Sequence, residues 1–313
     1  MKHLVPLVTL ISSSAFAGTI IVPAEVPSIS VAVEKALAGD TILVSPGVYN
    51  ELINFRGKAI TIESAEGYAK TIIDVQGQGS AAMFVMGESN KSVLKGFTLT
   101  GGVGTEFDSA ILGGGIYIHN SSPTIMDCHI VNNHAEWGGG IHNLNSSPRL
   151  INCTIDGNTA ELNGGGMRSH EWSSPYVENC TFSNNVGMFG GGMDFVADSV
   201  PTIVNCEIVS NGAYFQGGAV FVGCDCSSPN IAETQMCLNV PDHVVGGWNN
   251  NGNNDLCDIC EADVTRDGEV GIHDILEVIS NWGPGACLAD ITGEGGVDVN
   301  DLLIVINSWG ACP

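Results

Sequence analysis

The sequence predicts a mainly β fold: a parallel β-helix solenoid with a short N-terminal cap helix, joined to a small α-helical calcium-binding unit. Three observations predict it. A tandem repeat of about 26 residues runs from roughly 92 to 240, each repeat contains short apolar-polar alternations, and a second duplication of period 27 occupies the C-terminal end. A fixed period means one supersecondary unit stacked on copies of itself. Glycine triplets open the repeats at Gly113–Gly115, Gly138–Gly140, Gly164–Gly166 and Gly190–Gly192, with Gly217-Gly218 as a weaker fifth. A proline follows (Pro123, Pro148, Pro175, Pro201, Pro229), then a cysteine with an asparagine: Cys128/Asn133, Cys153/Asn158, Cys180/Asn185 and Cys206/Asn211.

In chain order, residues 1–17 carry Lys2 and His3, an apolar run from Leu4 to Ile11, and Ala15-Phe16-Ala17 before Gly18. That pattern is a secretory signal peptide, too short to span a bilayer, and it predicts an exported, extracellular chain. The solenoid is expected over 18–247. Pro27 to Leu37 reads as a short amphipathic helix with a serine cap, and with Glu34 at capping-box spacing if Val31 begins the turn. An open β-helix end exposes unpaired backbone, so a cap is physically required. Strands are predicted at Ile60–Ile62, Thr71–Ile73 and Met83–Val85, then three per coil inside the repeats, as in Gly115–Ile118, Pro123–Met126 and Cys128–Val131. The cysteine column is expected inward, filling the bore as reduced thiols. The asparagines are expected at a bend, in the left-handed conformation, bonding up and down the stack.

A polar stretch, 248–256, is expected to be a structureless linker to a module at 257–313. There, Asp263 to Asp274 is repeated as Asp290 to Asp301, each followed by an apolar helix ending in Trp-Gly. Oxygen ligands around a central glycine form an EF-hand-like calcium loop. The predicted Ca2+ ligands are Asp263, Thr265, Asp267, Glu269 and Asp274 in the first loop, and Asp290, Thr292, Glu294, Gly296 and Asp301 in the second. Cys224, Cys226 and Cys237 lie near the last coil, and Cys257, Cys260, Cys287 and Cys312 bracket the duplication. In an exported chain these read as disulfide partners, with a zinc or redox role for Cys257-x-x-Cys260 as the competing reading.

The formal charge of −24 excludes nucleic acid as a partner class, and no stretch reads as a membrane span. It also disfavours direct binding of polyanionic glycans, unless a divalent cation bridges the surfaces. Down the stack, the residues after each Gly-Gly-Gly-(Ile/Met) form a line: Tyr117, His142, Arg168, Asp194. A His, an Arg and a carboxylate within two strand spacings suit proton abstraction or metal binding, so His142, Arg168 and Asp194 are the candidate catalytic set. Tyr117, Trp137, His170, Trp172 and Phe189 are the candidate substrate-binding residues, the aromatic rings offering stacking faces to sugars.

With its Gly-Gly-Gly, Pro and Cys…Asn repeats and its cap sequence, the chain over 19 to about 240 resembles the right-handed parallel β-helix family of the pectate-lyase superfold. The duplicated loops with terminal Asp274 and Asp301 resemble a type I dockerin module. The first resemblance implies an extracellular polysaccharide as ligand and, for an enzyme, a polysaccharide lyase or glycoside hydrolase. The clustered aspartates of pectate lyases and polygalacturonases are not found in this sequence. The alternative is a non-catalytic cell-surface, adhesion or scaffolding protein. The second resemblance implies calcium and a cohesin-like protein partner, although Ile272-His273 and Val299-Asn300 stand where cellulosomal members commonly have Ser-Thr.

Overall fold

The computed structural model describes residues 17–223, 227–256, 264–265, 269–284, 289, 291 and 296–311. The chain divides into two compact units, 1–254 and 255–313. The larger unit is a mainly β solenoid of about nine turns. One coil runs from Ile116–His119 through Thr124–Met126 and His129–Val131 to His134–Ala135, then begins again at Ile141–Leu144. Strands of successive coils pair in parallel and in register. A first sheet of ten strands runs from Thr19–Val22 to Asn249–Asn250, a second of eight from Gly47–Tyr49 to Gln235–Cys237, and a third of eight from Ile53–Asn54 to Val244–Val245. The three-strand coil expected from sequence gains a fourth, four-stranded sheet of His134–Ala135, Thr159–Ala160, Val186–Phe189 and Gly212–Gln216.

Alternation within each strand sends one residue inward and the next out. The inward columns are apolar: Ile125, Leu150, Val177, Ile203 and Ile231 in the first sheet, and Ile130, Ile155, Phe182, Ile208 and Met236 in the second. All are buried in one continuous core. The cap helix α1 (Ile29–Lys35) closes the N-terminal end by burying Ile29, Ala32 and Val33. Ser28 caps it through the Val31 N–H. The carboxylate that takes the first-turn N–H groups of Ile29 and Ser30 is Glu51, from the next coil. Glu34, expected in that role, instead pairs with Arg56.

The cysteine column stacks as expected. Cys128, Cys153, Cys180 and Cys206 are buried and free. The Cys153 and Cys180 N–H groups donate to the next coil's sulfur at 3.4 Å, and Thr234 continues the column by accepting from the Cys206 N–H. The asparagines differ from expectation by one residue. The left-handed positions are Asn132, Gly157, Asn184, Ser210 and Leu238, just before them. Asn133, Asn158, Asn185 and Asn211 are buried, each donating from Nδ2 to the next asparagine's Oδ1 at 2.9–3.1 Å, with Asn239 ending the column. The turn needs its positive φ at the solvent-facing residue, which leaves the next side chain aimed into the stack.

The expected linker is partly solenoid. Asn249–Asn250 forms the last strand of the first sheet, and Asn254 donates to the Ile231 carbonyl while accepting the Thr234 N–H. Asparagine amides substitute here for the next coil's backbone, so a polar composition did not mean an unstructured one.

In the smaller unit, helices α2 (Ile272–Ser280) and α3 (Val299–Asn307) are equivalent halves. Glu269–Val270 pairs antiparallel with Gly310–Ala311, and Gly283–Pro284 with Gly296–Val297, so each half contributes a strand to the other. Val270, Val278, Ala289, Val297 and Val305 form its core. Residues 1–16 of the expected signal peptide, and Cys224, Cys226, Cys257, Cys260, Cys287 and Cys312, lie outside the described residues. Among the described residues, no helix is long and apolar enough to cross a membrane.

Candidate functional site

The third sheet stacks Tyr117, His142, Arg168, Asp194 and Phe221 in one register column facing away from the bore. The sequence predicts this column exposed. Instead Tyr117, His142, Arg168 and Asp194 are all buried, Asp194 completely. Two features cover it. The first is the corner segment carrying Trp137, whose ring lies 4.1 Å from the Arg168 guanidinium carbon in a cation–π contact. The second is an antiparallel hairpin, Thr105–Phe107 with Ala110–Leu112, turning through Asp108 and Ser109, both at positive φ. The two are tied together: Glu136 accepts the Trp137 indole N–H at 3.1 Å and the Ile111 N–H at 3.2 Å.

Between them opens a cleft of about 380 Å³, within the range of small-molecule sites. Its lining joins Phe107, Asp108, Ala110 and Leu112 of the hairpin to Trp137, His142, Leu144, Arg168, His170 and Glu171. Of the sequence-predicted residues, His142, Arg168, Trp137 and His170 therefore meet. Asp194 stands behind Arg168, which donates to it from Nη1 in a buried ion pair. Tyr117, Trp172 and Phe189 do not line the cleft. Tyr117 is covered by Phe107, at 6.2 Å between ring centroids. Trp172 points to solvent from a left-handed corner, and Phe189 packs against Phe215 and Phe221.

The missed residues are those of the hairpin. A signal for them exists in the sequence: ten residues lie between Gly102 and Gly113, whereas four lie between the equivalent Asn133 and Gly138. An insertion at one corner of a solenoid falls where a binding wall is commonly built.

The electrostatics of the column follow from burial. Desolvation raises the Asp194 carboxyl to about 6, against the attraction of Arg168 and hydrogen bonds from Asn163 and Arg168. At neutral pH it is ionised and compensates the guanidinium. Desolvation, with Arg168 and then His170 and His119 adding repulsion, pushes His142 well below the ordinary histidine value, so its ring is neutral. Burial also raises the Tyr117 phenol to about 12. Tyr117 Oη and His142 Nδ1 are buried without hydrogen-bond partners, an arrangement that costs free energy in a native structure.

This set can bind a ring-shaped polar ligand beside Trp137 and Arg168. The carboxylate of Asp194 is sealed behind Arg168, whereas those of Asp108 and Glu171 line the cleft.

In the smaller unit, Asp274 and Asp301 occupy equivalent, fully buried positions in the first turns of α2 and α3. Asp274 Oδ1 accepts the Thr265 N–H and hydroxyl, and Oδ2 accepts the Gly271 N–H. Burial raises its pKa, and these hydrogen bonds more than offset that, leaving it below the ordinary value. The equivalent Asp301 accepts the Asp298 N–H. Asp274 and Asp301 are thus placed alike in the two halves. Glu269 and Gly296 are described as strand backbone, while Asp263, Asp267, Asp290, Thr292 and Glu294 lie outside the described residues. Among the described residues, no group of three or more His, Cys, Asp or Glu is placed to hold a metal.

Residues 51–235 match the family profile described as right handed beta helix region. Among solved structures, the chain is similar in fold to pectate lyase Pel9A, with a TM-score of 0.52 and 17% identity, over 71% of this chain and 62% of that one. It thus spans under two thirds of Pel9A. Pectin methylesterase PemA from Erwinia chrysanthemi gives a TM-score of 0.47 at 12% identity, over 75% of this chain and 82% of that one. No curated protein matches the chain.

Proposed function

The chain belongs to the right-handed β-helix family, and from that premise we propose that it is an exported polysaccharide-binding protein holding its glycan in the Trp137–Arg168 cleft. One observation carries this reading: an open cleft with an aromatic wall sits over an outward-facing polar column, Tyr117, His142, Arg168 and Asp194, that is buried. Pel9A, similar in fold, is a pectate lyase, which puts polysaccharide first among ligand classes.

Binding is better supported than bond cleavage. Asp194 is sealed behind Arg168 and positions the guanidinium, while His142 is neutral and almost fully covered. Arg168, held by a carboxylate on one side and an indole on the other, is preorganised to donate to sugar hydroxyls.

In this reading the unit at 255–313 is a calcium-binding, dockerin-like module that attaches the protein to a cohesin-like partner or surface. The support is its two-fold duplication with Asp274 and Asp301 in matching places. Calcium is expected to protect this unit in the full chain from proteolysis, because a ligand bound only by the folded state stabilises it. Cleavage indifferent to calcium and chelator would remove the metal from the account.

The test of the main reading is retention of the full chain on a panel of immobilised glycans, compared with Trp137→Ala. One glycan is expected to retain the protein, and the substitution to weaken that by about tenfold or more, as loss of a buried aromatic anchor does. Equal retention of both proteins would place binding elsewhere, and silence across the panel would end the polysaccharide reading.

A further inference from the structure

The charge around this cleft selects among glycans. We propose that the cleft takes an uncharged glycan chain, one whose uronate carboxylates are absent or esterified, and discriminates against polyuronate. The inference rests on the polysaccharide reading above and narrows its substrate class.

A polyuronate site needs positive charge that is free to meet carboxylates. Between residues 96 and 254 Lys and Arg number two, Arg149 and Arg168, against fourteen Asp and Glu. Arg149 lies on the first sheet, with its guanidinium carbon 4.9 Å from the Tyr176 ring centroid. Arg168 lines the cleft, but its charge is already neutralised by the buried carboxylate of Asp194, and its guanidinium lies over Trp137. A second anion arriving there would compete with a partner already desolvated and in place, and breaking such a buried pair is costly.

The lining adds the opposite sign. Asp108 and Glu171 bring two carboxylates to the cleft itself, while Glu136 backs Trp137 and the hairpin. With a formal charge of −24 on the whole chain, the long-range field also slows the approach of a polyanion. What the cleft does present is the surface of a neutral sugar: apolar Phe107, Ala110, Leu112 and Leu144 beside Trp137, and hydroxyl-pairing groups at Arg168 and His170. Rings with apolar faces and hydroxyl edges match that mixture without placing a bare charge in the site.

The experiment uses a pair of ligands with one backbone and different charge states, an oligogalacturonate and its fully methyl-esterified form, with a neutral oligogalactan as third probe. Each is titrated calorimetrically into the full chain at pH 7.5 and low salt, with and without calcium. At least one uncharged probe is expected to bind, with the oligogalacturonate at least about tenfold weaker. The double variant Asp108→Asn/Glu171→Gln is expected to raise oligogalacturonate affinity about three- to tenfold relative to that of the uncharged probes, and to lose that gain at high salt. Binding of the oligogalacturonate as tightly as its ester, with or without calcium, would overturn the proposal while leaving the polysaccharide reading intact. Absence of binding by all three probes, in a protein that the wider panel does retain, would overturn it as well. A protein that neither the panel nor these probes engage would end both readings.

Discussion

The inner asparagine column and the charged column of the third sheet climb the same solenoid, yet they are built on opposite rules. In the first, one residue type recurs at Asn133, Asn158, Asn185 and Asn211, and each amide finds a partner in the next coil. In the second, Tyr117, His142, Arg168 and Asp194 are all different, and Tyr117 Oη and His142 Nδ1 are left unpaired. A repeat protein uses identical positions for stacking, because each coil must satisfy the one before it. It departs from repetition where a column must meet something other than the next coil. That contrast points to the cleft more directly than any single residue type does.

The largest expected effect breaks the charged column. Asp194→Ala strands a buried guanidinium and should cost about 3–5 kcal/mol in urea unfolding. The double change Arg168→Leu/Asp194→Leu should recover most of that loss while abolishing glycan binding, which separates the column's electrostatic role from its packing. Asn185→Ala tests the opposite column. It leaves the Asn158 N–H and the Ile155 carbonyl without their partner. At about 1–3 kcal/mol for each buried orphan, the loss should be about 4 kcal/mol, with glycan affinity of the folded protein unchanged.

The pH dependence follows in size. Burial first, opposed by Arg168, lifts the Asp194 carboxyl from 3.8 to about 6. Between those values the folded chain keeps a proton that the unfolded chain has released. The group's contribution is therefore complete below about pH 4 and is lost as the pH rises through about 6, roughly 3 kcal/mol in all. Asp194→Asn should flatten that slope in urea titrations across pH 4–7, and an unchanged slope would assign it elsewhere. The smallest effect is predicted for Cys180→Ser, at about 1 kcal/mol. A hydroxyl keeps an acceptor for the Cys153 N–H, as Thr234 does for Cys206 in the same column.

Much of the solenoid was legible because repetition is a sequence property. The period placed the strands, the cysteine column and the rows of facing residues, and the register brought His142, Arg168 and Asp194 together as spaced. What repetition does not encode is what covers a column. Trp137 and the Phe107–Leu112 hairpin enclose Arg168 through contacts between different coils, so a row predicted exposed is buried. Tyr117 was lost as a ligand contact for the same reason, and Phe189 turned to its own aromatic neighbours. The one-residue offset of the left-handed corner, at Asn132 and Asn184 rather than Asn133 and Asn185, was not readable where Asn-Asn pairs offer two candidates for the turn.

On this proposal the irregular column marks a ligand site and the regular one a scaffold. Titration of an uncharged oligosaccharide that the protein retains, at low temperature, into the full chain, Trp137→Ala and Asn185→Ala tests it most directly. An affinity loss of about tenfold or more is expected for Trp137→Ala, and none for folded Asn185→Ala. Equal affinity in all three, or equal loss in both variants, would contradict it.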